Sequence, residues 1–264
     1  MSKTVGFIGV GNMGSAILCG AVNNSGLCAG DIYAHSLDFS DKVKSLNINV
    51  TNLQDLVVKS DYIMLCVKPN SFRSLLENVK AVPGYENKVY ISIAAGITTD
   101  YIRSILGSVT VIRTMPNLNL LAGEGMTVIA NDSGASEEAI VFAEKIFGGA
   151  GKTLRIPEKL IDSCTAISGS GPAYVFMFIE AMADAAVKHG IPRKDAYLLA
   201  SQTVMGSAAM QLETGIHPGE LKDMVCSPGG TTIEAVSALE KAGFRNAVID
   251  AVDKCAQKAI SMNK

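Results

Sequence analysis

Short apolar runs alternate with longer mixed stretches through the first 157 residues of the chain. The apolar runs predict strands at residues 4–8, 31–34, 61–67, 89–93, 109–113, 126–130 and 152–156. The stretches between them predict helices at residues 15–22, 40–46, 72–79, 98–106 and 137–147. Strands that alternate with helices are typical of a doubly wound, mostly parallel sheet in an α/β domain with helices on both faces.

The pattern changes after residue 157, where helical segments follow one another without intervening strands. Helices are predicted at residues 162–167, 173–188, 195–213 and 220–225, near Thr232, and from Arg245 onward, with residues 168–172 as a break. Many helical positions carry Ala, Gly or Ser, which allow close helix contacts, and the wide apolar surface suggests that two subunits share this core. We predict an all-α domain over residues 158–264 that forms a homodimer, with a monomeric helical domain as the alternative.

A glycine-rich turn joins the first predicted strand to the first helix. Residues 9–14 read Gly-Val-Gly-Asn-Met-Gly, which is GxGxxG in the strand–turn–helix context that gives the pattern meaning. Gly9 allows the tight turn, Gly11 lets the backbone approach a pyrophosphate, and Gly14 lets the helix pack closely on the strand. Residues 1–157 are therefore predicted to form a Rossmann-type dinucleotide-binding domain.

The end of the second predicted strand concerns the choice of dinucleotide. An NAD-binding domain usually carries Asp or Glu about 20 residues after the glycines, where the carboxylate holds the ribose hydroxyls. Here His35 and Ser36 occupy that place, and the first acid, Asp38, comes later. Without the acid a 2′-phosphate is not repelled, and either side chain can hydrogen-bond it, although no Arg is present. We predict NADPH as the cofactor, with NADH left open.

Three loops follow predicted strands at the carboxyl edge of the sheet, where ligands of such folds bind. They comprise residues 67–70, 94–97 and 114–117. These loops are the candidate positions for the rest of the bound ligand.

A second candidate site lies in the helical half, where residues 227–234 read Ser-Pro-Gly-Gly-Thr-Thr-Ile-Glu. Pro228 and the two glycines forbid regular structure before the helix formers that begin at Glu234. A helix that starts this way presents unpaired backbone N–H groups and the positive end of its dipole, which suit a carboxylate. Thr232 adds a hydroxyl beside them. An ordinary helix start with a glycine-rich lead-in is the alternative.

Composition narrows the classes of function. Of the 264 residues, 48% are hydrophobic and 18% charged, and a net charge of −2 without a basic run disfavours nucleic acid and membrane as partners. Six scattered cysteines without a CxxC pair predict buried free thiols and no metal site. The absence of a leader-like segment and of an apolar run of about 18 residues predicts a cytoplasmic protein.

These motifs together resemble those of pyrroline-5-carboxylate reductases over essentially the whole chain. The resemblance rests on residues 7–14, 67–69, 94–96, 113–117 and 123–125 in the first half, and on 167–174 and 217–218 in the second. Its most specific part runs from residues 221–223 through 227–232 to 243–245. The glycine turn is shared by many families, whereas this last cluster is close to diagnostic.

The resemblance implies reduction of 1-pyrroline-5-carboxylate to L-proline, the last step of proline biosynthesis, by dimers that often assemble into decamers. Thr232 is the implied catalytic residue, with its hydroxyl near the ring nitrogen. The implied substrate-binding residues are Ser227, Gly230, Thr231 and Thr232. The implied cofactor-binding residues are Gly9, Gly11, Asn12, Met13, Gly14, His35, Ser36, Val67, Lys68, Pro69, Ala95, Gly96, Met115, Pro116 and Asn117.

The residues also fit the chemistry of imine reduction. A cyclic imine needs a hydride donor, an anion site for its carboxylate and a polar group near nitrogen, but no nucleophile. If the substrate binds as an iminium, the proton is already present and no strong general acid is required. Catalysis then rests on bringing cofactor and imine into contact and on excluding water.

The chain departs from the family pattern at two places, and three other functions are considered. Leu118-Asn119 stands where the family usually has Thr-Pro, and His35-Ser36 replaces Ser or Asn-Arg.

A β-hydroxyacid dehydrogenase, which has the same domain order, is rejected as the function. Such enzymes carry a Lys and, four residues later, an Asn on the helix after residues 169–171, and this chain has neither there. A reductase of another cyclic imine carboxylate and a non-catalytic dinucleotide-binding module are the alternatives.

Overall fold

The computed structural model describes residues 3–262. The chain divides into two compact units, of which the first comprises the residues up to Ser170 with the C-terminal segment from Cys255, and the second is Gly171–Lys254. The boundary suggested by the sequence, after residue 157, falls earlier. The intervening segment packs on the sheet, because Ile161 joins Val128 and Ala130 in one hydrophobic cluster. The domain boundary predicted from the sequence, between residues 1–157 and 158–264, therefore stays a prediction.

The first unit is built on an eight-stranded sheet with the order β3-β2-β1-β4-β5-β6-β7-β8. Its strands are β1 (Val5–Ile8), β2 (Ile32–His35), β3 (Asn49–Val50), β4 (Tyr62–Leu65), β5 (Val89–Ser92), β6 (Thr110–Met115), β7 (Gly125–Ala130) and β8 (Gly151–Ile156). Neighbouring strands are parallel except β6 and β7. β1 and β4 are buried along their whole length, as strands covered on both faces must be. The predicted mostly parallel α/β sheet is confirmed.

The helices that lie wholly in the first unit are α1 (Asn12–Asn23), α2 (Asp41–Lys44), α3 (Leu53–Lys59), α4 (Phe72–Lys80), α5 (Thr99–Leu106), α6 (Glu137–Gly148) and α7 (Ile161–Cys164). Helices α1 to α6 contribute to two large hydrophobic clusters, and α7 contributes Ile161 to a smaller third one. One cluster contains Ile17 of α1 and Phe147 of α6, and the other contains Leu56 of α3, Leu76 of α4 and Ile102 of α5. Asn52, Thr98 and Ser136 cap α3, α5 and α6, since each side chain accepts a backbone N–H three residues later.

Two elements of the first unit are absent from the sequence-based prediction, namely β3 and α3. β3 has two residues, both exposed, so it leaves no apolar run. Only Leu56 and Val57 of α3 are buried, which gives a weak helical pattern. Both elements lie between β2 and β4, where a parallel sheet needs a crossover connection.

The predicted break at residues 168–172 is confined to Ser170 in the structure. α7 is followed directly by a π-helix over Thr165–Gly169, and α8 begins at Gly171. The hydroxyls of Thr165 and Ser168 donate to carbonyls four residues earlier, a pattern that often bends a helix. Proline at the second position of α8 is tolerated because the first turn needs no N–H donor.

The second unit is helical, as predicted. It contains α8 (Gly171–Lys188), α9 (Arg193–Thr214), α10 (Pro218–Val225), α11 (Thr231–Lys241) and most of α12 (Phe244–Ser261). The buried positions of α8 and α9 are the alanines 183, 196 and 200, whose small side chains permit close helix packing. Across residues 3–262, every helix is too short or too polar to cross a lipid bilayer.

The six cysteines are free thiols, as predicted. Five are partly exposed and Cys28 is exposed, so the prediction that they are buried is wrong in that respect. Cys28 lies in the connection between α1 and β2, which runs along the surface.

Candidate active site

The glycine turn after β1 has the geometry that its sequence predicts. Gly9 has a φ of +86°, and a Cβ atom there would lie 2.9 Å from the Val67 side chain. A Cβ on Gly14 would lie 2.5 Å from the carbonyl oxygen of Gly9. Both positions therefore require glycine for the fold itself, one through its backbone angle and both through lack of space.

Gly11 differs, because nothing in the protein demands a glycine there. Its φ is −73°, and no heavy atom of the described chain lies within 4 Å of the place a Cβ would take. It is also the N-cap of α1 and offers no side-chain cap, so the first backbone N–H groups of that helix face open space. This cradle fits a pyrophosphate, which needs close backbone approach and the positive end of a helix dipole.

The end of β2 is hydrogen-bonded to this turn. Gly9 N donates to His35 O at 2.8 Å, and Val10 N donates to Ser36 Oγ at 3.0 Å. His35 Nδ1 lies 3.1 Å from Thr51 O, which orients its ring toward the residue after β3. Ser36 is therefore in direct contact with the glycine turn, as is Ser15, whose hydroxyl donates to Val10 O at 3.1 Å.

Three of the predicted cofactor-binding residues line one cavity of about 310 Å³, namely Ala95, Gly96 and Met115. Gly96 has a φ of +69°, and a Cβ there would lie 2.8 Å from the carbonyl oxygen of Met262 just after α12. Asp162 and Lys258 are the charged residues that line the same cavity within the described chain. The loop after β5 and the end of β6 thus border one recess, whose lining is mostly apolar.

Asn117 is occupied within the protein. Its Nδ2 donates to Ser168 O at 3.0 Å and its Oδ1 accepts from Met126 N at 3.0 Å, and the residue is 6% exposed. The side chain therefore joins the loop after β6 to β7 and to the π-helix. Its predicted contact with the cofactor stays a prediction.

The remaining predicted residues on the β4 and β6 loops are placed as follows. Val67 packs beside Gly9, Lys68 caps a 3-10 helix over Pro69–Ser71, and Pro116 follows the end of β6. All three lie at carboxyl ends of strands. Asn12 and Met13 open α1 beside the cradle.

A buried ionic cluster beneath this edge is missing from the sequence-based prediction. Arg113 Nη2 donates to Asp162 Oδ1 at 2.6 Å, and Nη1 lies 3.7 Å from Glu158 Oε1, with the arginine side chain 3% exposed. Glu158 also accepts hydrogen bonds from the Thr99 N–H at 2.9 Å and the Thr99 hydroxyl at 2.6 Å. An arginine inside the apolar run of β6 is the signal that could have revealed the cluster.

Cys66 follows β4 and lies below the turn, where a Cβ on Gly14 would come 3.3 Å from its own Cβ. Burial of its sulfur raises the pKa of the Cys66 thiol to about 12. The sulfur therefore stays neutral at physiological pH and adds no negative charge below the pyrophosphate cradle.

The second candidate site begins α11 in the helical unit. Gly230 is the N-cap without a side-chain cap, Gly229 has a φ of +67°, and Gly230 N donates to Ser227 O at 3.0 Å. A Cβ on Gly230 would collide with Ser227 Oγ, so a larger residue there would require the Ser227 hydroxyl to move. The hydroxyls of Thr231 and Thr232, in the first turn, have no protein partner among residues 3–262. The N–H groups and hydroxyls together are donors of the kind that suit an anion, and the predicted carboxylate site here stays a prediction.

The strand order, the glycine turn and the open cradle define the first unit as a dinucleotide-binding domain of the Rossmann class. Pyrroline-5-carboxylate reductase of Escherichia coli (strain K12) is 46% identical to the chain, and the match covers 100% of both. The chain belongs to the pyrroline-5-carboxylate reductase family.

Family models and solved structures agree with this membership. The model "Pyrroline-5-carboxylate reductase dimerisation" matches residues 158–262, and "NADP oxidoreductase coenzyme F420-dependent" matches residues 4–96. The pyrroline-5-carboxylate reductase of Coxiella burnetii aligns with a TM-score of 0.92 at 31% identity over 100% of both chains. The Plasmodium falciparum enzyme with NADP bound aligns with a TM-score of 0.88 at 32% identity, over 100% of this chain and 99% of that one.

Proposed function

We propose that this protein reduces the C=N bond of 1-pyrroline-5-carboxylate to L-proline with NADPH, NADH being a poorer donor. The observation that carries the proposal is the uncapped start of α11, where backbone N–H groups and the Thr232 hydroxyl have no protein partner in the described chain. Family membership over the full length and the NADP bound to the Plasmodium falciparum relative support it.

The residues of the first unit hold the dinucleotide in this proposal. The pyrophosphate lies at the first turn of α1, where Gly11 leaves space and the N–H groups of Asn12 and Met13 donate. The cavity lined by Ala95, Gly96 and Met115 receives the nicotinamide end. When bound, the reduced nicotinamide supplies the hydride that converts the imine carbon to a saturated carbon.

The residues of the second unit hold the substrate. The N–H groups that begin α11, together with Ser227, Gly230 and Thr231, bind the carboxylate, and the Thr232 hydroxyl hydrogen-bonds near the ring nitrogen. No acid–base pair is required, because the iminium already carries its proton. These roles stay proposals for each residue named.

Self-association belongs to the same proposal. A groove of about 850 Å³ in the helical unit is lined by apolar side chains of α8, α11 and α12, and large apolar side chains such as Met177 and Leu198 are 70% and 68% exposed. Surfaces of this kind are seldom left to solvent. With the dimerisation model over residues 158–262, they support a homodimer; a decamer and a cytoplasmic location stay predictions.

The test is the decay of reduced-cofactor absorbance with 1-pyrroline-5-carboxylate, run in parallel with NADPH and NADH. The proposal expects rapid oxidation, formation of proline and a higher kcat/KM with NADPH. If the reduced cofactor is oxidised only in the presence of another cyclic imine carboxylate, that compound is the substrate instead of 1-pyrroline-5-carboxylate. Cofactor binding without oxidation by any imine would show a non-catalytic module.

A further inference from the structure

Glu158 connects the buried ionic cluster around Arg113 to the start of α5. It begins the 3-10 helix Glu158–Leu160 that follows β8, and its backbone N–H donates to Asp132 Oδ1 at 2.7 Å. Its side chain is 20% exposed, and the carboxylate contacts both Arg113 and the first residue of α5, Thr99. One side chain from the connection after β8 therefore contacts both β6 and α5.

Both carboxylate oxygens of Glu158 bind Thr99. Oε1 accepts the Thr99 N–H at 2.9 Å, and Oε2 accepts the Thr99 hydroxyl at 2.6 Å. The ordinary N-cap of α5 is Thr98, whose side chain accepts the Tyr101 N–H. Glu158 thus adds a second acceptor, with a negative charge, at the positive end of the helix dipole. Two hydrogen bonds to one residue constrain the position of the first turn of α5.

The segment before α5 is also held at its other end, where it leaves β5. Ser92 is the last residue of β5 and pairs in register with Arg113. Its carbonyl oxygen accepts the Thr114 hydroxyl at 2.9 Å. Residues 93–98 therefore run between two fixed points, the pairing of β5 with β6 and the carboxylate contact at the start of α5.

This segment carries Ala95 and Gly96, which line the recess assigned above to the nicotinamide end of the cofactor. Gly96 has a φ of +69° and lies three residues before Thr99. Ile97, between them, is 1% exposed and packs in the same hydrophobic cluster as Ile102 of α5. A shift in the start of α5 is therefore passed to the wall of the recess through a short, buried connection, while the segment itself stays packed.

We propose that Glu158 is a positioning residue for hydride transfer. By binding Thr99 it determines where Ala95 and Gly96 lie, and hence how the nicotinamide ring faces the imine carbon. Turnover depends steeply on this geometry, because a displacement of about 1 Å can lower the rate by about 100-fold. The assignment rests on the proposed function for the identity of the ligand in the recess.

Glu158→Ala in the full chain removes the contact with Thr99. Its kcat with 1-pyrroline-5-carboxylate, expressed per NADPH-binding site counted by titration, should fall by about tenfold or more. Counting sites removes the effect of a smaller folded fraction. The Kd for 2′,5′-ADP, which has no nicotinamide, should be unchanged. Glu144→Ala is the matched control, because Glu144 is also paired with an arginine, Arg155, and is 26% exposed, but does not line the recess. Its kcat per site should be unaltered.

Two further variants separate the contact from the charge and from folding. In Glu158→Gln the amide oxygen can accept the Thr99 N–H and the amide nitrogen can donate to the Thr99 hydroxyl, so most of the kcat should return. Thr99→Val removes the hydroxyl partner at nearly constant size and keeps the backbone N–H. It should lower kcat per site by a smaller factor than Glu158→Ala, and it gives the test if the alanine variant does not fold.

Unchanged kcat per site in Glu158→Ala would overturn the assignment, and so would an equal loss in Glu144→Ala or a glutamine variant as slow as the alanine variant. Amide hydrogen exchange over residues 93–101 tests the same contact without turnover, and it should be about tenfold faster in Glu158→Ala and unaltered in Glu144→Ala. If the unaltered protein does not reduce 1-pyrroline-5-carboxylate but this selective change occurs, the proposed reaction is wrong and Glu158 still holds the segment. If reduction occurs and neither kcat per site nor exchange changes, the role of Glu158 is wrong.

Discussion

The three glycines of the turn after β1 are needed for different physical reasons. Gly9 and Gly14 are required by backbone angle or by space inside the protein, whereas Gly11 has an ordinary φ and open surroundings. A residue that the fold does not constrain, at the start of a helix whose N–H groups are free, is best explained by a ligand that must come close. Gly11 is therefore the residue that most clearly separates binding from folding.

Gly11→Val should abolish dinucleotide binding with little effect on stability. The valine side chain fits the backbone angle but fills the space that a pyrophosphate would occupy. Fluorescence titration with NADPH and thermal unfolding measure the two properties. Gly9→Val is the matched comparison, expected to cost about 1–2 kcal/mol because φ is +86°. Normal NADPH affinity in Gly11→Val would contradict the placement of the pyrophosphate.

Thr232→Ala should lower kcat by about tenfold or more and leave the Kd for NADPH unchanged. The lost hydroxyl is assigned to the substrate, so its hydrogen bond is missing in the transition state. Steady-state kinetics with 1-pyrroline-5-carboxylate and a separate cofactor titration give the two values. Ser237→Ala, an exposed position on the same helix, is the control. Unaltered turnover in Thr232→Ala would remove this residue from the reaction.

Elements at the edge of the sheet are joined by buried polar contacts. Arg113 within β6 binds Asp162 of α7 and lies near Glu158, and Asn117 joins the loop after β6 to β7 and to the π-helix. These contacts join β6 and the loop after it to neighbouring elements beside the cavity lined by Ala95, Gly96 and Met115.

Asp162→Ala should lower the free energy of unfolding by about 3 kcal/mol, because it leaves the buried Arg113 guanidinium with only the more distant Glu158 as a charge partner. Urea denaturation followed by circular dichroism measures the loss. Asp41→Ala breaks the exposed pair with Lys44 and should change stability by less than about 1 kcal/mol. Equal stability of the Asp162 variant and the unaltered protein would show that the pair does not stabilise the edge.

The sequence predicted elements well where local pattern and burial agree. β1, β4 and the glycine turn follow from apolar runs and glycine spacing, and the main helices are right to within a few residues. The exposed β3 and the weakly patterned α3 were missed because they leave little apolar pattern, and residues 165–169 give no sequence signal that distinguishes a π-helix from an α-helix. The cluster around Arg113 depends on residues 49 positions apart, which spacing does not reveal.

At the scale of the whole molecule, the helical unit leaves much of its apolar surface exposed. Only alanines are buried within α8 and α9, and large side chains such as Phe176, Met177 and Leu198 stand in solvent in a single chain. A second copy of the chain would cover this surface, which is the physical basis for the proposed dimer.

Leu198→Glu should shift the protein from dimer toward monomer, since a buried unpaired carboxylate at an interface is costly. Light scattering coupled to size-exclusion chromatography gives the mass directly. Val58→Glu, at an exposed apolar position of α3 in the first unit, should leave the mass unchanged. A dimer that withstands the change at residue 198 would place the interface elsewhere.

Transfer of deuterium from cofactor to product tests the proposed reaction most directly. NADPH carrying deuterium at both C4 positions is incubated with 1-pyrroline-5-carboxylate and the full-length enzyme, and the product is analysed by mass spectrometry. Direct hydride transfer predicts proline that is one mass unit heavier, with a single deuterium on the former imine carbon. Unlabelled proline, or oxidation of NADPH without proline, would contradict the proposed reduction.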